Sequence, residues 1–451
     1  MKNIQHFDNL IIGFGKGGKT LAAWLAKQGQ QVALIETSEK MYGGSCINIA
    51  CIPSKSLIVS GEKELPYPTA YKEKKELTAL LREKNFKNLN ELPSVTIITG
   101  HASFVSANEV SVITAGNEQI SIQARRIFIN TGSKPFIPDI PGINISKKVF
   151  TSASLMEQPV LAEKLVIIGG GFIGLEFAGM YAKFGAQVTI LDRSDTFLPH
   201  EDEDIAAEIF KVLTAKNINI ISKASVQEIA DTNRDTVNVR YKNKDSVVVN
   251  LEASAILIAT GRRANVDGLN LSAAGIQTNS KGYVAVDELL KTHVSHIWAI
   301  GDVNGGPQFT YISLDDFRII RDQLSGGPYT SVTKRKQVAF TVFITPPLAH
   351  IGLREKVAIE KGYTIKVAKL PAAAIPRARI LNNTDGLLKT IVDAGTHKIL
   401  GCTLFCVDAH EMINTVQTAM NAELEYQVVR DAIYTHPSMT EAFNDLYSLI
   451  N

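Results

Sequence analysis

The chain has 451 residues, 45% of them hydrophobic and 20% charged, with a formal net charge of +2. That length implies roughly two to four domains with a sizeable core, and the near-neutral balance argues against nucleic acid or an anionic membrane as partner. Four cysteines are too few for a secreted disulfide scaffold and suit a reducing, cytoplasmic setting. The polar start at residues 1–8 leads into no signal-peptide pattern, and no apolar run approaches the ~18 residues that a membrane span needs.

Residues 8–13 read as a short apolar strand that opens into Gly13-Phe14-Gly15-Lys16-Gly17-Gly18. A helix pattern follows over 21–28, then a strand over 31–35 that ends on Glu36. This is a β-α-β unit with G-x-G-x-x-G and an acid 23 residues after the first glycine. The glycines permit a tight turn and close approach of a pyrophosphate to a helix N-terminus. The acid can accept a ribose 2′-hydroxyl.

Residues 43–55 follow, Gly43-Gly44-Ser45-Cys46-Ile47-Asn48-Ile49-Ala50-Cys51-Ile52-Pro53-Ser54-Lys55. Pro53 suits a first helical turn, so a helix is predicted to start near Cys51 and to run through Leu57 and Val59. That puts Cys51 at a partly positive helix N-terminus, which favours a thiolate, with Lys55 one turn further along. In a regular helix, cysteines five apart would have Cα atoms roughly 8–9 Å apart, whereas a disulfide wants about 4.4–6.8 Å. The backbone between Cys46 and Cys51 must therefore bend. So small a ring adds little stability, which favours a redox role. Spacing alone leaves two buried helix cysteines as an equal alternative.

The Lys-rich run 72–87 also carries Glu73, Glu76 and Glu83 and reads as a solvated helix face. Strand–turn signals come at 126–130 with Thr131-Gly132, at 255–259 with Thr260-Gly261, and at 298–300 with Gly301-Asp302. Between the first two, the β-α-β pattern recurs: a strand over 164–168, Gly169-Gly170-Gly171-Phe172-Ile173-Gly174, a helix, and a strand over 187–191 ending on Asp192. Asp192 accepts ribose hydroxyls and repels a 2′-phosphate, so NADH is favoured, with Arg193 partly offsetting that repulsion. Two dinucleotide sites and a dithiol suggest electrons passing between cofactors and on to sulfur. Beyond about residue 334, strands at 338–343, 386–392 and 398–405 surround helix patterns at 353–361 and 411–421, an α+β texture. Cys402 and Cys406 lie in an apolar run there and read as packing residues.

Together these residues resemble the FAD-dependent pyridine nucleotide–disulfide oxidoreductases over essentially the whole chain. The resemblance implies an α/β fold with two Rossmann-like dinucleotide-binding domains and a C-terminal α+β dimerisation domain. The FAD domain would span 1–145 and 262–333, the NAD(P)H domain 146–261 and the interface domain 334–451. Gly13, Gly15, Gly18 and Glu36 match the FAD fingerprint, and Gly169, Gly171 and Gly174 the nicotinamide-nucleotide fingerprint. Gly132 and Gly261 close the paired T-G turns, and Asp302 ends the second FAD motif. Cys51 would be the charge-transfer thiol beside the flavin, and Cys46 the outer thiol that meets substrate. Lys55 and Glu176 would pair near the flavin. His436, in His436-Pro437 at a possible cis-proline turn, would be the acid–base group. It would be oriented by Glu441 and reach the dithiol of the other subunit of a homodimer. No metal ligand set is implied.

Some positions depart from the family pattern. Phe172 stands where a tyrosine often covers the nicotinamide pocket, and Asp315 and Asp316 are unusual near the start of their helix. Pro376-Arg377-Ala378 resembles a mercuric-reductase motif, but no C-terminal cysteine pair or N-terminal metal-binding domain accompanies it. A narrower resemblance, carried by 41–49, 309–316, 374–379 and 406–414, is to bacterial flavoproteins of reactive-chlorine resistance. That group is similar to hypothiocyanous acid reductases, and copper(II) reduction is also attributed to it. The expected substrate is therefore a small oxidant, first of all hypothiocyanous acid. The alternatives are a general disulfide or lipoamide oxidoreductase, a metal-ion reductase, and last a redox sensor, which has no need of two dinucleotide sites.

Overall fold

The computed structural model describes residues 4–450, which form two units. The first takes the chain up to Val59, Pro68–Ile137 and Gly261–Arg335. The second takes Ser60–Tyr67, Pro138–Thr260 and the chain from Lys336 onward.

The first unit is built on one mixed sheet. Ile4–Ile12 lies between Val32–Glu36 and Gln119–Ile129, parallel to both. Val95–Phe104 and Ile297–Ala299 add in parallel on the two sides, and Glu109–Thr114 pairs antiparallel with Val95–Phe104 and Gln119–Ile129. The central strands carry unbroken buried runs, Leu10-Ile11-Ile12 and Ile127-Phe128-Ile129, because both faces are covered. Helix Lys16–Lys27 buries Leu21, Ala22 and Leu25 on this sheet at three- and four-residue spacing and packs beside helix Thr310–Ser325.

Several boundaries differ from expectation, two of them in the first β-α-β unit. The first strand starts at Ile4, not at residue 8, because residues 4–7 pair with Ser121 to Ala124 although their sequence is mixed in polarity. The helix starts at Lys16, not at 21. Its first-turn amides find outside acceptors, Gly17 N–H donating to Ser313 Oγ at 3.1 Å and Gly18 N–H to Asn130 Oδ1 at 2.9 Å. The Lys-rich run lies on helix Tyr67–Asn90, where Lys72 faces Glu76 and Lys87 faces Glu83 across exposed turns. The solvated-face reading fails at Lys74 and Thr78, both buried. Lys74 is fully buried, its ammonium 4.7 Å from the centre of the Tyr71 ring.

In the second unit, five parallel strands run in the order Ile218–Ile221, Gln187–Leu191, Lys164–Ile168, Ala255–Ile258, Val149–Thr151. A three-stranded antiparallel meander, Ser225–Asp231, Val237–Lys242 and Val248–Ala253, accompanies them. The C-terminal part is a five-stranded antiparallel sheet ordered Phe340–Val342, Leu348–Gly352, Ile399–Phe405, Leu387–Asp393, Ile365–Pro371. Helices Ala409–Asn421 and Ala442–Ser448 close its core, where Cys402 and Cys406 are buried. Burial pushes the Cys402 thiol up to about 12 and raises that of Cys406 as well.

The two parts of this unit are knit by charge. Arg354 donates to both oxygens of buried Glu201, at 3.0 and 2.5 Å. Lys389, 2% exposed, reaches Asp202 at 3.0 Å, Asp204 at 3.1 Å and Glu355 at 2.6 Å. Such a cluster holds its geometry because removing one member would strand the others away from water. No helix among the described residues is long and apolar enough to cross a membrane.

Candidate active site

The dithiol sits on a broken helix. Ser45–Asn48 forms one turn, Ile49 leaves it at φ −141°, and Cys51–Glu62 begins anew with Cys51 as its first residue. This is the bend that the spacing required. The preceding turn is folded tightly. Gly44, at φ +86°, approaches the backbone of Gly15 so closely that a Cβ on Gly44 would lie 2.7 Å from the Gly15 Cα. The redox loop therefore packs directly on the first dinucleotide loop.

Side chains hold the loop from several directions. Tyr42 stacks on Phe86 at 4.8 Å and shares a 2.6 Å hydrogen bond with Thr99 Oγ1. Asn48 Nδ2 donates to the carbonyls of Tyr42 and Gly44, both at 2.9 Å, and Arg82 Nε donates to Asn48 Oδ1 at 2.8 Å. Lys19 Nζ donates to Gly43 O at 3.1 Å and to Asn85 Oδ1 at 2.5 Å.

Both cysteines are free thiols, half-buried. The hydrogen bond from the Cys51 thiol is the largest influence on Cys46. With Thr310, Lys19 and Lys55 behind it, that bond outweighs burial and brings Cys46 down to about 6. Cys51 moves the other way, because it donates to Cys46, is buried and feels the Cys46 charge. The Thr310 hydroxyl, 3.8 Å from Cys51 Sγ, is a second polar neighbour. The expected helix N-terminus is there, with Cys51 as the first residue of Cys51–Glu62, and it competes with the thiol–thiol hydrogen bond for where the charge rests. Among the protein's own groups the pair carries its charge on Cys46, because one shared proton stays on the more enclosed sulfur.

The first unit gathers most of the sequence-derived flavin residues. Gly13, Gly15 and Gly18 turn the chain over Asn130, and a Cβ on Gly15 would lie 2.5 Å from Asn130 Oδ1. Glu36 accepts from Phe14 N–H at 3.0 Å and from Thr37 N–H at 2.8 Å, and burial pushes its carboxyl up. The turn Thr131-Gly132 leads into Ser133. Ser133 Oγ donates to Asp302 at 2.7 Å and accepts from Arg262 Nε at 2.8 Å, one residue past Gly261. A glycine cradle that no side chain could share, with an acid at the end of the next strand, fits the pyrophosphate and ribose of FAD.

The unusual carboxylates have structural work. Asp316, 1% exposed, accepts from Gly301 N–H at 2.8 Å and from Arg335 at 2.5 Å. Asp315 accepts from Arg335 Nε at 2.7 Å and from the Tyr329 hydroxyl at 3.0 Å. They brace the Gly301-Asp302 turn. Asn130 adds to this, donating to Ile300 O at 2.7 Å while it accepts from Gly18. Sequence reasoning singled out Asp315 and Asp316 as odd but missed Asn130, Ser313, Arg262, Arg335 and Lys19. Asn130, Lys19 and Arg262 stood directly beside recognised glycine motifs, and Ser313 lay within 309–316, but no motif assigned any of them a role.

In the second unit, Gly169, Gly171 and Gly174 join Lys164–Ile168 to helix Phe172–Lys183. Asp192 lies against Gly170, where a Cβ would sit 2.7 Å from its Oδ2. Glu176 accepts from Phe343 N–H at 2.8 Å. Phe172, 38% exposed, stacks on Phe340 at 5.4 Å. The His436-Pro437 peptide is cis, and exposed His436 Nδ1 is 2.7 Å from Glu441 Oε2. Glu441 also accepts from Ser438 N–H at 3.2 Å, so the carboxylate is fixed before it orients the imidazole.

Comparison with known proteins places this geometry. The sequence model described as pyridine nucleotide-disulphide oxidoreductase matches residues 7–316, and that of the family's dimerisation domain matches 338–447. The chain is 47% identical to the probable pyridine nucleotide-disulfide oxidoreductase RclA of Escherichia coli, over 99% of this chain and 100% of RclA. It is 32% identical to a mercuric reductase of Bacillus cereus, over 96% of this chain and 70% of that protein. The solved Cu(II) complex of the HOCl-induced flavoprotein disulfide reductase RclA from E. coli matches with a TM-score of 0.96 at 46% identity, covering 99% of this chain and 100% of that one. The chain belongs to the pyridine nucleotide-disulphide oxidoreductase family, flavoprotein enzymes that use FAD and NAD(P)H.

Proposed function

We propose that this enzyme reduces hypothiocyanous acid to thiocyanate through the Cys46–Cys51 dithiol, working as a cytoplasmic homodimer in oxidative-stress defence. The observation that carries the reading is the thiol pair. Cys46 is brought down to about 6 by the hydrogen bond from Cys51, so a nucleophilic thiolate stands ready at neutral pH. The likeness to RclA, described as HOCl-induced, supports an oxidant as substrate.

Bound FAD would carry electrons from NADH to the dithiol, with the Gly13–Gly18 loop, Glu36 and Asp302 holding it. Cys46 attacks the electrophilic sulfur of hypothiocyanous acid. A Cys46 S–S bond forms and the S–O bond breaks. His436 of the second subunit, oriented by Glu441, protonates the leaving hydroxide to water. Cys51 then attacks the Cys46 sulfur, expels thiocyanate and returns a proton to His436. Sulfur is reduced by two electrons and the dithiol becomes the disulfide. Lys55 and Glu176 are assigned to the flavin side of the pair, and Gly169, Gly171, Gly174 and Asp192 to the nicotinamide nucleotide.

A second reading, reduction of a metal ion, has its own support, since the RclA structure is a Cu(II) complex and a mercuric reductase is a relative. One assay separates the readings. Purified enzyme and NADH are offered hypothiocyanous acid, oxidised glutathione, lipoamide and Cu(II). We expect hypothiocyanous acid to be fastest, with about one NADH consumed and one thiocyanate released per molecule, as a two-electron couple requires. Cys46→Ser and Cys51→Ser should each abolish turnover. Faster use of glutathione or Cu(II), or turnover surviving either substitution, overturns the assignment.

A further inference from the structure

Lys19 lies in the first helix, one turn past Gly15, and its charge is not cancelled. Its ammonium is held by two neutral acceptors, the Gly43 carbonyl and Asn85 Oδ1, and no carboxylate pairs with it among the described residues. Asn85 is itself fixed, its Nδ2 donating to Leu81 O at 2.7 Å. A half-buried cation without a counter-charge is unfavourable. Burial and the nearby Lys16 bring Lys19 down to about 8, and the group that opposes them is Cys46.

The grip falls at a telling place. Gly43, at φ +92°, is the first of the two glycines that turn the chain into Ser45–Asn48, and Cys46 is three residues on. The other groups that act on Cys46 belong to different elements. Cys51 and Lys55 sit on Cys51–Glu62, and Thr310 opens Thr310–Ser325. Lys19 alone among them comes from the helix of the first dinucleotide unit, so it ties that helix to the redox loop.

We propose that Lys19 is a positioning residue of the dithiol, gripping the glycine turn that presents Cys46 and supplying an uncancelled positive charge to its sulfur. The role concerns the attack on oxidant and rests on Cys46 being the outer thiol. Lys19 touches neither substrate nor the sulfur in a bond-making step. It sets where the thiolate stands and how much of it there is.

The test is alkylation of the NADH-reduced holoenzyme by iodoacetamide between pH 5 and 9, with the label located by peptide mass spectrometry. Wild type should be labelled at Cys46 with a midpoint of about 6. Lys19→Met should raise that midpoint by about one unit, the scale of one opposite charge nearby, and Lys19→Arg should restore it. Above both midpoints the wild-type and Lys19→Met rates should converge, which mere loosening of the loop would not produce. Should Lys19→Met fail to fold, Lys19→Gln carries the same expectation. An unmoved midpoint, failure of Lys19→Arg to restore it, or loss of FAD with the midpoint unchanged overturns the proposal. Labelling of wild type at Cys51 ahead of Cys46 instead overturns the outer-thiol reading beneath it, and the proposal with it.

Discussion

Two glycine loops, at residues 13–18 and 169–174, head the same strand–turn–helix arrangement, yet the protein encloses them differently. In the first, Gly15 is backed by Asn130 and faced by Gly44, while the Gly17 and Gly18 amides are taken by Ser313 and Asn130. In the second, a Cβ on Gly171 would meet nothing within 4 Å. The acids differ likewise. Both are partly buried, but Glu36 accepts from Phe14 N–H and from the Thr37 N–H and hydroxyl, whereas Asp192 accepts from Ser194 N–H at 3.3 Å. A cofactor retained through every cycle calls for enclosure, and one that exchanges each cycle calls for an open mouth. The same glycine spacing serves both because the spacing specifies only the turn, and the neighbours decide how firmly the ligand is kept.

The largest effect that would break this contrast is steric. Gly15→Ala places a methyl on Asn130, and we expect the purified protein to lose FAD affinity by about a hundredfold or more, since such a clash costs a few kcal/mol and each ~1.4 kcal/mol is about tenfold. Gly171→Ala should keep its yellow colour and full flavin content, changing at most the KM for NADH. Equal flavin loss in both, measured by absorbance after gel filtration, would mean that the loops are held alike.

An intermediate effect concerns the nucleotide acids. Asp192→Ala should narrow the preference for NADH over NADPH by about tenfold, the worth of one charge-assisted hydrogen bond at about 1.5 kcal/mol or more. The measurement is the ratio of kcat/KM for the two nucleotides. A wild-type enzyme that already prefers NADPH would remove the basis of the expectation.

The smallest effect is a pH dependence at Glu36. Burial raises its carboxyl above the ordinary value, so the folded chain disfavours the ionised form. That penalty is absent below the ordinary glutamate range and sets in as pH rises through the raised folded value. In FAD-free protein, the Tm difference between Glu36→Gln and wild type should therefore move in the variant's favour as pH rises, by a few degrees or less. A difference independent of pH would show that Glu36 carries no such penalty.

Much of this was legible in the chain. Gly13, Gly15, Gly18 and Glu36 declared themselves because a turn and the next strand are neighbours in sequence. The strands Lys164–Ile168 and Gln187–Leu191 were read residue for residue, since both are short buried runs with clear ends. Asn130 and Ser313 were silent because their partners lie 112 and 296 residues away. Asp316 looked odd for its place, but its reason, Arg335 and the Gly301 amide, appears only when the chain returns on itself. Lys19 lay between the glycine loop and the helix predicted over 21–28, with nothing in the sequence to mark it. The hydrogen bond between Cys46 and Cys51 was not legible, because a helix N-terminus is visible in sequence whereas burial and a neighbouring thiol are not.

The two cysteines outside the dithiol bear on how long the enzyme lasts. Cys402 and Cys406 are sealed in the C-terminal core and held as neutral thiols, the form slowest to react with oxidants. Cysteine oxidation is thereby steered to the one pair of thiols that the next turnover resets, and the two cysteines that no turnover would repair are kept out of reach.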